Sequence, residues 1–140
     1  MILSGCGDGG DTGAGDATAA NTTQPRALSA STPACPAKVD SLLAALDRLR
    51  RQLAVGLSYD QYANAVRALR ADYAAIPVDH LAIGCLRTAG SPAERALNRY
   101  IDGANAWGEC LADAACTTAT IEPVLQRQWR VASHFLSEAG

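Results

Sequence analysis

Lysine is almost missing from this 140-residue chain. Lys38 is the single lysine beside eleven arginines. Fourteen acidic residues bring the formal net charge to −2, so the basic excess that nucleic-acid binding draws on is absent. Long apolar runs are missing too. No stretch approaches the ~18–20 apolar residues of a membrane span, so any membrane contact requires an anchor or a partner. Histidine is down to His80 and His134. Neither sits in a G-x-S-x-G elbow, and neither has a nucleophile and an orienting group beside it in sequence. His80 follows Asp79 at a helix start and reads as a solvated cap residue; His134 reads as a surface or bundle-end residue. Asp102 and Glu109 share a helix face, but no histidine joins them, so they read as a solvated acidic face. There is no Cys-x-x-Cys pair and no C-x-x-C-H haem attachment. The body cysteines are separated by 49, 24 and 5 residues, which fits no zinc signature. The sequence therefore predicts no enzyme, no metal and no cofactor.

What is present starts with an odd count of five cysteines: Cys6, Cys35, Cys85, Cys110 and Cys116. Cys6 stands apart, in a segment unlike the rest. Residues 7–33 are Gly, Asp, Thr, Ala, Ser, Asn and Pro with Gln24, Arg26 and a lone Leu28. Such a composition cannot bury enough surface to offset its ordering entropy, and it predicts a disordered linker with an r.m.s. reach of about 25–30 Å. Gly5-Cys6-Gly7-Asp8-Gly9-Gly10 matches G-x-G-x-x-G, but no strand precedes it and no helix follows, so it holds no phosphate. Asn21-Thr22-Thr23 is a glycosylation acceptor only in a eukaryotic secretory route. The predicted organisation is residues 1–5, 6–33 and a helical domain over 34–140.

Four long amphipathic helices are legible in the body. Val39, Leu42, Leu46, Leu49 and Leu53 step 3-4-3-4 along the first, between Pro36 and Gly56. Ser58 and Gln61 form a capping box for the second. Its stripe is Tyr59, Tyr62, Val66, Leu69, Tyr73 and Ile76, and Pro77 stops it. A short helical segment within Val78–Thr88 ends at Ala89-Gly90. Ser91-Pro92-Ala93-Glu94 predicts the next helix start, with Ser91 as cap, Pro92 at N1 and Glu94 at N3. That helix carries Leu97, Tyr100, Ala104, Trp107 and Leu111. The last runs from about Ile121 to Leu136, with Ile121, Leu125, Gln128, Ala132 and Phe135 on one face. The fold class is all-α: an antiparallel bundle of four long helices and one short one.

The bundle decides the cysteine pairing. Helix one climbs about 30 Å from Cys35 at ~1.5 Å per residue, and helix two brings the chain back down to Cys85. The fourth helix carries Cys110 up again, beside Cys116. A disulfide needs Cα atoms within ~7 Å, so the pairs are Cys35–Cys85 and Cys110–Cys116, in an oxidising compartment. Residues six apart on an unbroken helix are separated by ~9 Å of rise, so the fourth helix must end around Leu111–Ala114.

The most unusual local cluster is Asn98, Tyr100, Asn105 and Trp107 facing Gln128 and Trp129. It reads as a polar helix–helix contact or as a small recognition groove with tryptophan walls. Gly103 and Gly108 cost about 1 kcal/mol each relative to Ala, which close approach of another helix or of a ligand would explain.

Leu3-Ser4-Gly5-Cys6 resembles the bacterial lipobox, in which signal peptidase II cuts before a diacylglycerol-modified cysteine. By that resemblance Cys6 is the lipid-attachment residue, and residues 1–5 are the remnant of a signal peptide whose apolar core is represented here only by Met1-Ile2-Leu3. The body pieces "CPAKVDSLLAALDRL", "LSYDQYANAVRALRADY", "ALNRYIDGANAWGECLADAAC" and "IEPVLQRQWRVAS" are similar to small lipoproteins of actinobacteria such as Streptomyces. The resemblance implies a compartment, the outer face of the cell membrane, and a lipid anchor, and it implies no mechanism. The expectation is a lipid-anchored extracytoplasmic module that binds an envelope protein or cell-wall component. The alternative is a small-ligand or lipid carrier with its groove between helices four and five.

Overall fold

A computed structural model describes residues 35–139 of the chain. The expected lipid-attachment residue Cys6, the expected signal remnant 1–5 and the expected linker 6–33 lie outside the described residues. The described residues fall within one compact unit, Ala34–Gly140. Helices α1 (Ala37–Val55) and α2 (Tyr59–Ala74) are followed by a 3-10 turn, Val78–His80, and a short α3 (Ile83–Cys85). A π-helical segment, Leu86–Gly90, then leads into α4 (Ser91–Ala112), and α5 (Thr118–Ala139) ends the described chain. No strand occurs among the described residues.

Local chemistry sets these boundaries. Gly56 closes α1 at φ +123°, a backbone conformation that favours glycine. The capping box of α2 forms in full: the Gln61 N–H donates to Ser58 Oγ at 3.2 Å, and the Ser58 N–H donates to Gln61 Oε1 at 3.0 Å. The turn after α4 comes at Asp113, inside the predicted window. Both disulfides have the expected partners, Cys35–Cys85 and Cys110–Cys116, each with a Cα–Cα distance of 5.2 Å.

Two helix starts differ from the sequence reading. Ser91 does not cap a new helix. Gly90 and Ser91 keep right-handed helical dihedrals, φ −62°/ψ −50° and φ −64°/ψ −47°, and the Ser91 N–H donates to Leu86 O, five residues back. The path is continuous from Ile83 to Ala112. Pro92 has no N–H to donate and its ring crowds the preceding turn. A wide π turn accommodates both, so the proline is absorbed and the helix does not break. Helix α5 begins at Thr118, one turn before Ile121, because Thr117 caps it: the Thr120 N–H donates to Thr117 Oγ1 at 3.3 Å. Pro123 then stands inside the helix.

The core takes one stripe from each helix. Val39, Leu42, Leu46 and Leu49 of α1 meet Tyr62, Val66 and Leu69 of α2, with Ala93, Ala96, Leu97 and Tyr100 of α4 and Ala132 of α5. Small residues on α4 and α5 let that pair approach closely, and it forms the most extensive contact in the fold. Leu111, placed on the apolar stripe by its spacing, is 62% exposed.

Candidate functional site

Two places gather side chains with chemistry, one toward each end of the bundle. The first follows from the proline that ends α2. Pro77 turns the chain into Val78–His80, where the His80 N–H donates to Pro77 O at 2.9 Å. The Cys35–Cys85 bond then fixes the next segment against the start of α1. The wide π turn follows at once. Between these pieces lies a cavity of about 280 Å³. Its walls are Val39 and Leu42 of α1, Ile76 just beyond α2, Val78 of the turn and Leu81 just after it, and Leu86 and Ala93 of the continuous helix. Gly90 belongs here for steric reasons: a Cβ on it would meet Leu86 Cδ1 at 3.2 Å and Leu81 Cδ1 at 3.6 Å.

The polar groups of this cavity are Tyr73, Ser91, Asp79 and Glu94. The Tyr73 hydroxyl donates to Glu94 Oε2 at 2.7 Å. Burial, reinforced by that carboxylate, pushes the Tyr73 hydroxyl up to about 12, so it remains a donor at neutral pH. The cavity thus combines a predominantly apolar interior with two carboxylates and two hydroxyls, a composition suited to a small amphipathic molecule.

The second place is an aromatic cluster of Tyr59, Tyr62, Trp107 and Trp129. Trp129 meets Tyr62 edge-on at 5.6 Å between centroids, and Tyr59 meets Trp107 likewise at 5.6 Å. Trp107 and Trp129 stand 6.5 Å apart. The fully buried Tyr62 is its centre: its hydroxyl donates to Tyr100 O at 2.6 Å and accepts from Trp129 Nε1 at 3.0 Å. Burial raises the Tyr62 pKa well above the usual phenol value. Gly103 and Gly108 are explained by the approach of α2. A Cβ on Gly103 would stand 2.7 Å from the Tyr62 hydroxyl, and one on Gly108 would stand 2.6 Å from the Tyr59 hydroxyl.

The six residues of the expected groove do not line one site. Trp107 and Trp129 are neighbours and fill space with the tyrosines. Tyr100 is fully buried, and its hydroxyl has no hydrogen-bond partner among the described residues. Asn98 is exposed beside Arg95, Arg99, Asp102 and Phe135, between α4 and α5. Asn105 is exposed on the other side of α4, facing Tyr59, Arg67 and Arg70 of α2. Gln128 is half-buried and accepts from Arg99 at 3.3 Å. Both histidines are exposed, and His134 lies 3.1 Å from Glu138. No group of three His, Cys, Asp or Glu side chains among the described residues could hold a metal ion. No described helix is long and apolar enough to cross a membrane.

Sequence reasoning assigned the cavity residues to other duties: Tyr73 to the α2 stripe, Glu94 to a helix cap and Asp79 to a helix start. The available signal was the crowding of Pro77, Gly84, Gly90 and Pro92 into one short stretch, which no regular helix accommodates. No protein-family model matches the chain, and neither a curated protein nor a solved structure matches it.

Proposed function

We propose that this chain is a small-molecule-binding helical module held at the outer face of a cell membrane by a lipid on Cys6. The cavity between α1, α2 and the π turn carries the binding half of this reading. Its apolar walls and four polar groups converge where the Cys35–Cys85 bond pins the fold. The membrane half rests on the lipobox-like Leu3-Ser4-Gly5-Cys6 and on the even number of body cysteines left once Cys6 is set aside. Two acyl chains hold a protein at a membrane where one does so only marginally.

The binding test is a thermal-shift screen of small amphiphiles against the wild type and Val78→Phe, which fills the cavity. Ligands that raise the wild-type midpoint and leave Val78→Phe unmoved support the reading; equal shifts in both variants sink it. The membrane test is detergent-phase partitioning of the full-length protein. The reading expects it to disappear in Cys6→Ser, and equal partitioning of both proteins removes the anchor.

A second reading, docking of another envelope component, has its own observation. Val55 is 90% exposed beside a depression lined by Leu57, Gln52, Arg48 and Arg51. If that surface docks a partner, Val55→Asp abolishes envelope cross-links that the wild type forms; unchanged cross-links exclude it.

A further inference from the structure

The charge of the cavity points to a class of ligand. This inference rests on the cavity being a binding site, as proposed above. Its lining includes two carboxylates, Asp79 and Glu94, and no lysine, arginine or histidine. The lone lysine of the chain does not line the cavity: Lys38 precedes the lining Val39, and its Nζ is engaged by Ala75 O at 3.3 Å, one residue before the lining Ile76. Tyr73 occupies one Glu94 oxygen, Oε2, and no protein donor meets the other among the described residues. An anion entering here would meet two like charges without a compensating donor of positive charge, whereas a cation would meet complementary ones. Behind the carboxylates the walls are aliphatic: Val39, Leu42, Ile76, Val78, Leu81 and Leu86. A volume of about 280 Å³ suits a compact apolar body.

The geometry points to a small molecule with one protonated amine and a compact apolar body, its nitrogen placed between Glu94 and Asp79 and its hydrocarbon against the aliphatic wall. Charge gives the preference and the wall gives the bulk of the contact. Because both carboxylates are exposed, the preference weakens as salt is raised.

The test titrates three probes of one shape into the ¹⁵N-labelled full chain at neutral pH: cyclohexylmethylamine, cyclohexylmethanol and cyclohexanecarboxylate. The reporters are the amides of Gly90 and Val78 and the Tyr73 ring. The amine is expected to shift these signals and to bind about tenfold more tightly than the alcohol, with the carboxylate weakest. Glu94→Gln keeps the acceptor for Tyr73 and removes only the charge. It is expected to weaken the amine by about three- to fivefold, the range of one exposed ion pair, and to leave the alcohol unchanged. Asp79→Asn/Glu94→Gln is expected to bring amine and alcohol level. Alcohol or carboxylate binding as tightly as the amine, or amine binding indifferent to Glu94→Gln, overturns the ligand class while the cavity stays a binding site. If none of the probes moves these reporters while the spectrum remains that of the folded chain, the binding reading itself falls. Leu81→Trp, a second cavity-filling change, is expected to abolish the shifts as Val78→Phe does.

Discussion

Glycine in the middle of a helix is ordinarily a weakness, and replacing it with alanine stabilises by about 1 kcal/mol. Gly103 should behave the opposite way. A Cβ there would stand 2.7 Å from the Tyr62 hydroxyl and 3.4 Å from Trp129 Nε1. The hydroxyl has nowhere to retreat. Its ring is fully buried, and it is held from two sides, donating to Tyr100 O and accepting from Trp129 Nε1. Making room costs one hydrogen bond at ~0.5–1.5 kcal/mol, plus overpacking of ~1–3 kcal/mol. Set against the ~1 kcal/mol propensity gain, Gly103→Ala is expected to destabilise by about 1–3 kcal/mol. For a domain of about 100 residues that lowers the melting midpoint by roughly 5–15 °C. The reasoning is sharpened by removing the obstacle. In Tyr62→Phe the hydroxyl is gone, and the next Tyr62 atom, Cζ, lies 3.6 Å from the new Cβ, an ordinary contact. In that background Gly103→Ala should stabilise by about 1 kcal/mol, so the double-mutant cycle should show a coupling of about 2–4 kcal/mol. Gly108→Ala is the control. It meets the Tyr59 hydroxyl at 2.6 Å, but Tyr59 is only half-buried and can swing outward, so the change should lie within about 1 kcal/mol of neutral. Urea denaturation of the five proteins measures all of this. A Gly103→Ala variant more stable than wild type, or a cycle without coupling, would refute the reasoning.

The two disulfides should differ in worth. With sequence separations of 50 and 6 residues, the chain-entropy model gives about 4 kcal/mol for Cys35–Cys85 and about 2 kcal/mol for Cys110–Cys116; paired Cys→Ser variants compared by urea titration should follow that order. Tyr100→Phe removes a buried hydroxyl that lacks a protein partner, and it should be neutral or stabilising by about 1 kcal/mol, in contrast to the loss expected for Tyr62→Phe, where Trp129 Nε1 is left unpaired. Leu46, fully buried in the core, should cost about 2–5 kcal/mol as Leu46→Ala. Alkaline pH should unfold the protein for an identifiable reason. Burial raises the Tyr100 and Tyr73 hydroxyls from 10.0 to about 12 and raises Tyr62 as well. The unfolded chain therefore loses these protons first, and above pH 10 it binds fewer protons than the native state. Stability is complete below pH 10 and falls as pH rises toward 12, by at most about 1.4 kcal/mol per pH unit for each of the buried Tyr62 and Tyr100, and by less for Tyr73, which solvent screens. Tyrosinate absorbance should consequently appear together with loss of helix; full ionisation of the tyrosines in a protein that stays folded would contradict the burial argument.

The apolar period of 3.6 was enough to place the long helices, because their stripes are almost uninterrupted. Ser58 and Gln61 were legible because a capping box is written in four adjacent residues. The disulfides followed from helix length and a distance limit, with no need for side-chain detail. The Ser91-Pro92-Ala93-Glu94 signal misled for a physical reason. Its residues match a helix start, yet a π turn lets the preceding helix carry on through Pro92, and the chain registers that only in its hydrogen bonding. The cavity was illegible for a related reason. Its residues come from five separate pieces, and each has a local explanation of its own. Tyr62 was read as one apolar position among several. Its role as the hub between Tyr100, Trp129 and Gly103 exists only once α2, α4 and α5 are packed.

The central proposal is a membrane-held module that carries a small molecule, and native mass spectrometry of the protein isolated from its own cells addresses both halves at once. The account predicts a chain beginning at an acylated Cys6, with both disulfides closed, accompanied by a noncovalent small-molecule adduct that Val78→Phe lacks. An unacylated Cys6, or adduct peaks identical in wild type and Val78→Phe, would contradict it.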